Sequence, residues 1–104
     1  MAKYVLTTQA DSDLESIFIY TAKEWGIYQA EKYLNELDGY MKKLAGGKIS
    51  GKDCSKLIAS GSGLYYYHAN RHYIIYRKEK ETTEIITLYH DRMDIERHLQ
   101  KKLK

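Results

Sequence analysis

The sequence predicts an α+β fold: an N-terminal strand and a two-helix hairpin packed on a twisted antiparallel sheet, closed by a short helix, in the order β-α-α-β-β-β-α. Three observations carry this. Apolar residues recur at helical spacing in two stripes, one from Ala10 to Trp25 and one from Ala30 to Leu44, and only a few residues around Gly26 separate them. Three β-prone runs follow, at Leu64–His68, His72–Arg77 and Glu84–His90, joined by short polar turns. Between the two halves lies one loop-rich stretch, 46–63, which holds five of the seven glycines. At 104 residues the chain has room for one core, and it is read as a single domain over 1–104.

Lys3 to Thr7 is a short β-prone run with Tyr4 and Leu6 on one face. Thr8, followed by Asp11, predicts a capping box at the first helix start. Ala10, Leu14, Ile17, Phe18, Thr21 and Trp25 then form one apolar stripe, and Gly26 stops the helix. The second stripe is Ala30, Tyr33, Leu34, Leu37, Met41 and Leu44; the brief connection makes the two helices an antiparallel hairpin. Gly39, mid-helix, marks an expected close contact, since glycine there otherwise only costs stability. In the loop-rich stretch, Cys54 to Ala59 suits one helical turn that buries Leu57 and Ile58. Ala69-Asn70-Arg71 predicts a tight turn in which Asn70 takes positive φ. Asp91 is expected to cap a last helix, with Ile95, Leu99 and Leu103 on its apolar side and lysines in its final turn.

Composition narrows the function classes. Hydrophobic residues at 43% and charged residues at 30% fit a globular chain and exclude a disordered one. No apolar run is long enough to span a membrane and no signal peptide is visible, so the chain reads as cytoplasmic. The single Cys54 excludes an internal disulfide and a multi-cysteine zinc site. His68 and His72 lie four apart, but in a hairpin and without a second pair, so no metal and no cofactor are expected. Tyrosine, with 11 residues against one Phe and one Trp, suits half-buried faces that meet solvent or a partner. Charge is uneven: residues 1–45 carry a net −2 and residues 46–104 a net +5. The basic half points to an anionic partner or to an ordinary solvated surface.

Two chemical readings stand side by side. His72, Arg77, His90, Arg92, Arg97 and His98 could gather on the sheet and last helix, cations holding a phosphodiester while a histidine moves protons. The plainer reading has the same residues satisfying strand ends and making surface pairs.

Several stretches together resemble the ParE toxins of the RelE/ParE superfamily. They are Leu6-x3-Ala10-x2-Asp13-Leu14-x2-Ile17, the Trp25-Gly26 junction with Gln29-Ala30 and Tyr33-Leu34, His72-x3-Tyr76-Arg77, and the ending Leu88-x-His90-x-Arg92-Met93-Asp94-x3-His98-Leu99. The junction and the ending are the most specific. Gly63-Leu64-Tyr65 stands where that family often reads Gly-Tyr-Arg. The resemblance implies a type II toxin that poisons DNA gyrase without chemistry of its own. It also implies a cognate antitoxin that wraps the toxin and is its only route to DNA, in a homodimer or hetero-oligomer. Target contacts are then expected at Trp25, His90, Arg92, Met93, Asp94, Arg97, Lys101 and Lys102, and antitoxin contacts at Tyr33, Leu37, Tyr73 and Arg77. The RelE-like cousins, ribosome-dependent messenger ribonucleases, imply instead His72 and His98 as acid and base with Arg92 on phosphate. A degenerate, non-toxic binding member is the third alternative.

Overall fold

In the computed structural model, which describes residues 3–56 and 63–92, two helices cover one face of a five-stranded sheet. The elements are β1 (Lys3–Leu6), α1 (Thr8–Trp25), α2 (Ile27–Ala45), β2 (Lys52–Asp53), a 3₁₀ turn at Cys54–Lys56, β3 (Leu64–Ala69), β4 (His72–Lys78) and β5 (Thr82–His90). Strand order is β1-β5-β4-β3-β2. The expected last helix, and the expected burial of Leu57 and Ile58, lie outside the described residues. No described helix is long and apolar enough to cross a membrane.

The sheet is mixed rather than wholly antiparallel. β2 to β5 form an antiparallel run, but β1 lies parallel to β5, Lys3 opposite Thr82 and Leu6 opposite Ile85. Apolar alternation marks a strand and its faces; it carries no information on the direction of its neighbour. The geometry follows from one residue. Thr7 closes the strand by donating its N–H to Ile85 O (3.1 Å) and its hydroxyl to Ile86 O (2.6 Å). The same Oγ1 accepts the Ala10 N–H at 3.0 Å and caps α1. Thr7 is therefore the N-cap, not Thr8, one residue earlier than the capping-box spacing indicated. Beyond Thr7, α1 takes over the free edge of β5: Asp13 Oδ2 accepts the Leu88 N–H (3.0 Å) and the Thr87 hydroxyl (2.5 Å). An edge N–H that would otherwise be exposed for pairing is thus satisfied by a carboxylate.

The core lies between hairpin and sheet. Ala10 and Ile17 from α1 and Leu37, Met41 and Leu44 from α2 meet Ala69, Ile74, Tyr76, Ile85 and Leu88. A bulge between β4 and β5 shifts the pairing from Ile75–Thr87 to Tyr76–Ile85. This explains why residues three apart, Ile85 and Leu88, both face the helices. The Tyr65–Tyr67 run alternates as expected, its outer members packing toward the hairpin and Tyr66 on the opposite face with Cys54, Leu64, Ile75 and Tyr89. There Cys54 is sealed, and burial pushes its thiol up to about 11, which makes it inert at neutral pH.

Two glycines show opposite reasons for being glycine. A Cβ on Gly51 would sit 2.3 Å from Tyr66 O, and the Gly51 N–H donates to the Tyr76 hydroxyl at 2.7 Å. Gly39 has nothing within 4 Å of its would-be Cβ, so the close contact expected there is absent. The connection between helices is shorter than expected: Gly26 alone, at φ +94°, ends α1 and starts α2. Asn70 takes its expected positive φ, +61°, in the β3–β4 turn.

Candidate functional site at the hairpin tip

Because α1 runs on along β5, the hairpin tip arrives at the end of the sheet where β5 stops and β4 starts. An open groove of about 710 Å³ forms there. Tyr20, Trp25, Lys32 and Tyr33 line it from the helices; Arg71, His72, His90 and Arg92 line it from the sheet end. Sequence reading selected Trp25, His72, His90 and Arg92 separately, and the fold brings these four together.

The floor is a hydrogen-bonded chain. Arg71 donates its backbone N–H to the Tyr33 oxygen at 3.2 Å. The Tyr33 hydroxyl also forms a hydrogen bond with His72 Nδ1, 2.7 Å away, in a direction set by the His72 tautomer. His72 is buried, and His90 crosses it edge-on with ring centres 5.1 Å apart. Burial first, and the His90 neighbour second, pull the His72 ring down to about 4, against a weaker opposing pull from Asp91. His72 is consequently neutral at physiological pH. His90 Nδ1 accepts the Arg92 N–H at 3.1 Å, which fixes the chain as it leaves β5. Asp91 lies between two histidines: its Oδ2 is 3.1 Å from His68 Nε2 and its Oδ1 3.4 Å from His90 Nδ1, and the hydrogen bond with His68 above all holds its carboxyl below the usual carboxylate range.

The rim is different in kind: Trp25 is 66% exposed and Tyr20 is exposed too. Ile19, Ile27 and Tyr28, close by in the chain but outside the groove lining, are also exposed. Trp25, expected on the first helix's apolar stripe, points out of the core. The helix has already passed the edge of the sheet when it reaches residue 25. Glu24 and Glu36 also line the groove, and Glu36 accepts a hydrogen bond from the Asn70 side chain at 3.1 Å. Among the described residues, Lys32, Arg71 and Arg92 make no salt bridge. No described group of three or more His, Cys, Asp or Glu residues is arranged to hold a metal.

The four expected antitoxin contacts do not form one surface. Tyr33 belongs to the groove floor, and Leu37 is wholly buried beneath the hairpin, so it offers no surface at all. Tyr73 lies on the opposite sheet face, stacked under His68 at 4.8 Å, and Arg77 shares that face, 4.0 Å from Glu84. Leu37 was misassigned because a helical stripe does not say which of its members the sheet covers. Met93, Asp94, Arg97, His98, Lys101 and Lys102 lie outside the described residues. Sequence reading missed Tyr20, Lys32 and Arg71. A visible signal was the pair Ile27-Tyr28, apolar and off the stripe, beside a helix-ending glycine.

Comparison with known proteins decides the family. Residues 4–95 match the family described as "ParE toxin of type II toxin-antitoxin system, parDE". The chain belongs to the ParE toxin family. It is 32% identical over 105 residues to Toxin ParE of Escherichia coli, covering 100% of this chain and 99% of that protein. To Toxin ParE1 of Mycobacterium tuberculosis (strain ATCC 25618 / H37Rv) it is 32% identical over 99 residues, covering 94% and 98%. A solved structure titled "Chromosomal ParDE TA system from P. aeruginosa" shares the fold, with a TM-score of 0.69 over 86% of this chain and 95% of the other, at 17% identity. This ParE-family chain is thus the toxin of a type II toxin–antitoxin system, with a cognate antitoxin as partner.

Proposed function

We propose that this ParE-family toxin arrests growth by binding DNA gyrase and stalling its cleavage complex, with no bond made or broken by the toxin, until the cognate antitoxin removes it. The observation that carries the inhibitor reading over the ribonuclease alternative is the state of His72. A general acid or base works best with a pKa near the operating pH. His72 is buried, held at about 4, and has Nδ1 occupied by the Tyr33 hydroxyl, which suits a structural ring better than a proton shuttle. The groove at the hairpin tip supports target contact in the region of Trp25, His90 and Arg92, with Met93, Asp94, Arg97, Lys101 and Lys102 following in the chain. Tyr73 and Arg77, on the opposite sheet face, remain our candidates for antitoxin contact.

The test is supercoiling of relaxed plasmid by purified gyrase with toxin freed of antitoxin. The expected result is loss of supercoiled product with trapped linear DNA, reversed by added antitoxin. Unimpaired supercoiling by a folded toxin sinks the gyrase target and turns attention to ribosome-dependent messenger cleavage.

A further inference from the structure

We infer that the hairpin-tip groove receives a short segment of the toxin's protein target, one that presents an apolar side chain next to a carboxylate. The inference rests on the reading that the toxin acts by binding a macromolecular target.

Apolar exposure on this molecule is concentrated. Seven large hydrophobic side chains are exposed among the described residues, and five of them, Ile19, Tyr20, Trp25, Ile27 and Tyr28, fall within ten residues around the hairpin tip. Scattered exposed apolar residues need no explanation, whereas a run of them at one helix junction, two of which (Tyr20 and Trp25) line the adjoining groove, marks a contact site. The composition matches a binding hot spot, where Trp, Tyr and Arg dominate. Trp25 supplies an anchor, exposed by 66% in the free chain, at an open groove of about 710 Å³.

Charge selects the class of occupant. Lys32, Arg71 and Arg92 line the groove and make no salt bridge among the described residues, which favours an incoming anion. Arg71 is held by its own backbone, its N–H on Tyr33 and its carbonyl accepting the Asp91 N–H at 2.8 Å, so the root of its side chain is fixed before binding. A nucleic acid would also satisfy the cations and the aromatic rings, but Glu24 and Glu36 in the same lining oppose a continuous run of phosphates more than a single carboxylate placed beside Arg71 and Arg92. A protein segment with one carboxylate and one apolar side chain matches the Lys32, Arg71 and Arg92 cations and the Tyr20 and Trp25 rings together. The groove is also confined to one end of the molecule. A chain that folds as it wraps a toxin gains affinity along an extended surface, whereas an anchor in a local concavity suits a loop or helix end of an already folded partner. The occupant is therefore a segment of the target, not the antitoxin.

The experiment compares Trp25→Ala and Arg71→Glu with the unaltered full-length toxin, each expressed without antitoxin, scoring growth arrest in cells and inhibition of gyrase supercoiling in vitro. Both sites are at the surface, and an unchanged thermal midpoint shows that the variants fold. Each substitution is expected to raise the toxin concentration for half-maximal arrest by at least about 30-fold, the scale of a hot-spot residue. Loss of arrest supports the inference whatever happens to antitoxin affinity. Full toxicity in both variants overturns it: if antitoxin affinity has fallen instead, the groove is the antitoxin's, and if self-association in sedimentation has fallen, it joins two toxin copies. A toxin that arrests growth without touching gyrase removes the gyrase target alone, because the growth readout still tests the groove.

Discussion

The two ends of helix α1 face opposite physical demands. At its start polar side chains are tied into the sheet: Thr7 serves as strand end and helix cap together, and Asp13 caps the edge of β5. At its finish the side chains face water: Trp25, Ile27 and Tyr28 are exposed around a helix junction made by one glycine. The same helix is thus anchored into the fold at one end and presented to a partner at the other. Stability resides where the sheet continues beneath the helices, and recognition where it stops. Substitutions in the first region should act on folding and leave binding surfaces alone, and those in the second should do the reverse.

Leu37→Ala is expected to break the anchored region most, costing about 2–5 kcal/mol by opening a cavity under the hairpin, and chemical denaturation measures it. If the loss is under 1 kcal/mol, the core does not close where the structure has it.

His72 gives the next effect, through pH. Its pKa is about 4 folded against an ordinary 6.5, so between these values the unfolded chain binds more protons than the folded one. Stability is therefore full above pH 6.5 and falls as pH drops toward 4, by up to about 3 kcal/mol. His72→Gln should flatten the stability curve across this window. Equal slopes for both proteins would show that His72 is not held neutral.

The two glycines sharpen the comparison within the scaffold. Gly51→Ala places a methyl against Tyr66 O and should cost about 1–3 kcal/mol, as overpacking does. Gly39→Ala meets no atom and should add about 0.5–1 kcal/mol, the helix-propensity difference. Thermal midpoints that move in the same direction would refute the distinction. Smallest of all is the effect of Trp25→Ala on stability, expected within about 0.5 kcal/mol as for other surface changes. A larger loss would mean that Trp25 packs in the fold after all.

Much of the scaffold was legible before any coordinates. Stripes of period 3.6 located both helices, and alternation through the three tyrosines assigned their faces. Asn70 signalled the hairpin through its tolerance of positive φ. The misses share a cause. The parallel setting of β1 and the loss of Leu37 as an antitoxin contact both depend on how one element lies against another, and the same holds for Trp25, read both as a stripe member and as an exposed target contact, which proves exposed. The cap moved from Thr8 to Thr7 because the strand end fixed it. Among the site residues, the motifs around Trp25 and His90–Arg92 were visible as separate stretches. Arg71 carried no motif, since a turn residue takes its role from what the turn lies beside.

By itself the sequence determined the family, the element order and the chemistry of each surface, because periodicity, turn residues and charge are local properties of the chain. Only the tertiary structure decided that α1 overruns the edge of the sheet. That offset is a non-local distance: it exposes Trp25 and sets Tyr20, Arg71, His90 and Arg92 around one groove.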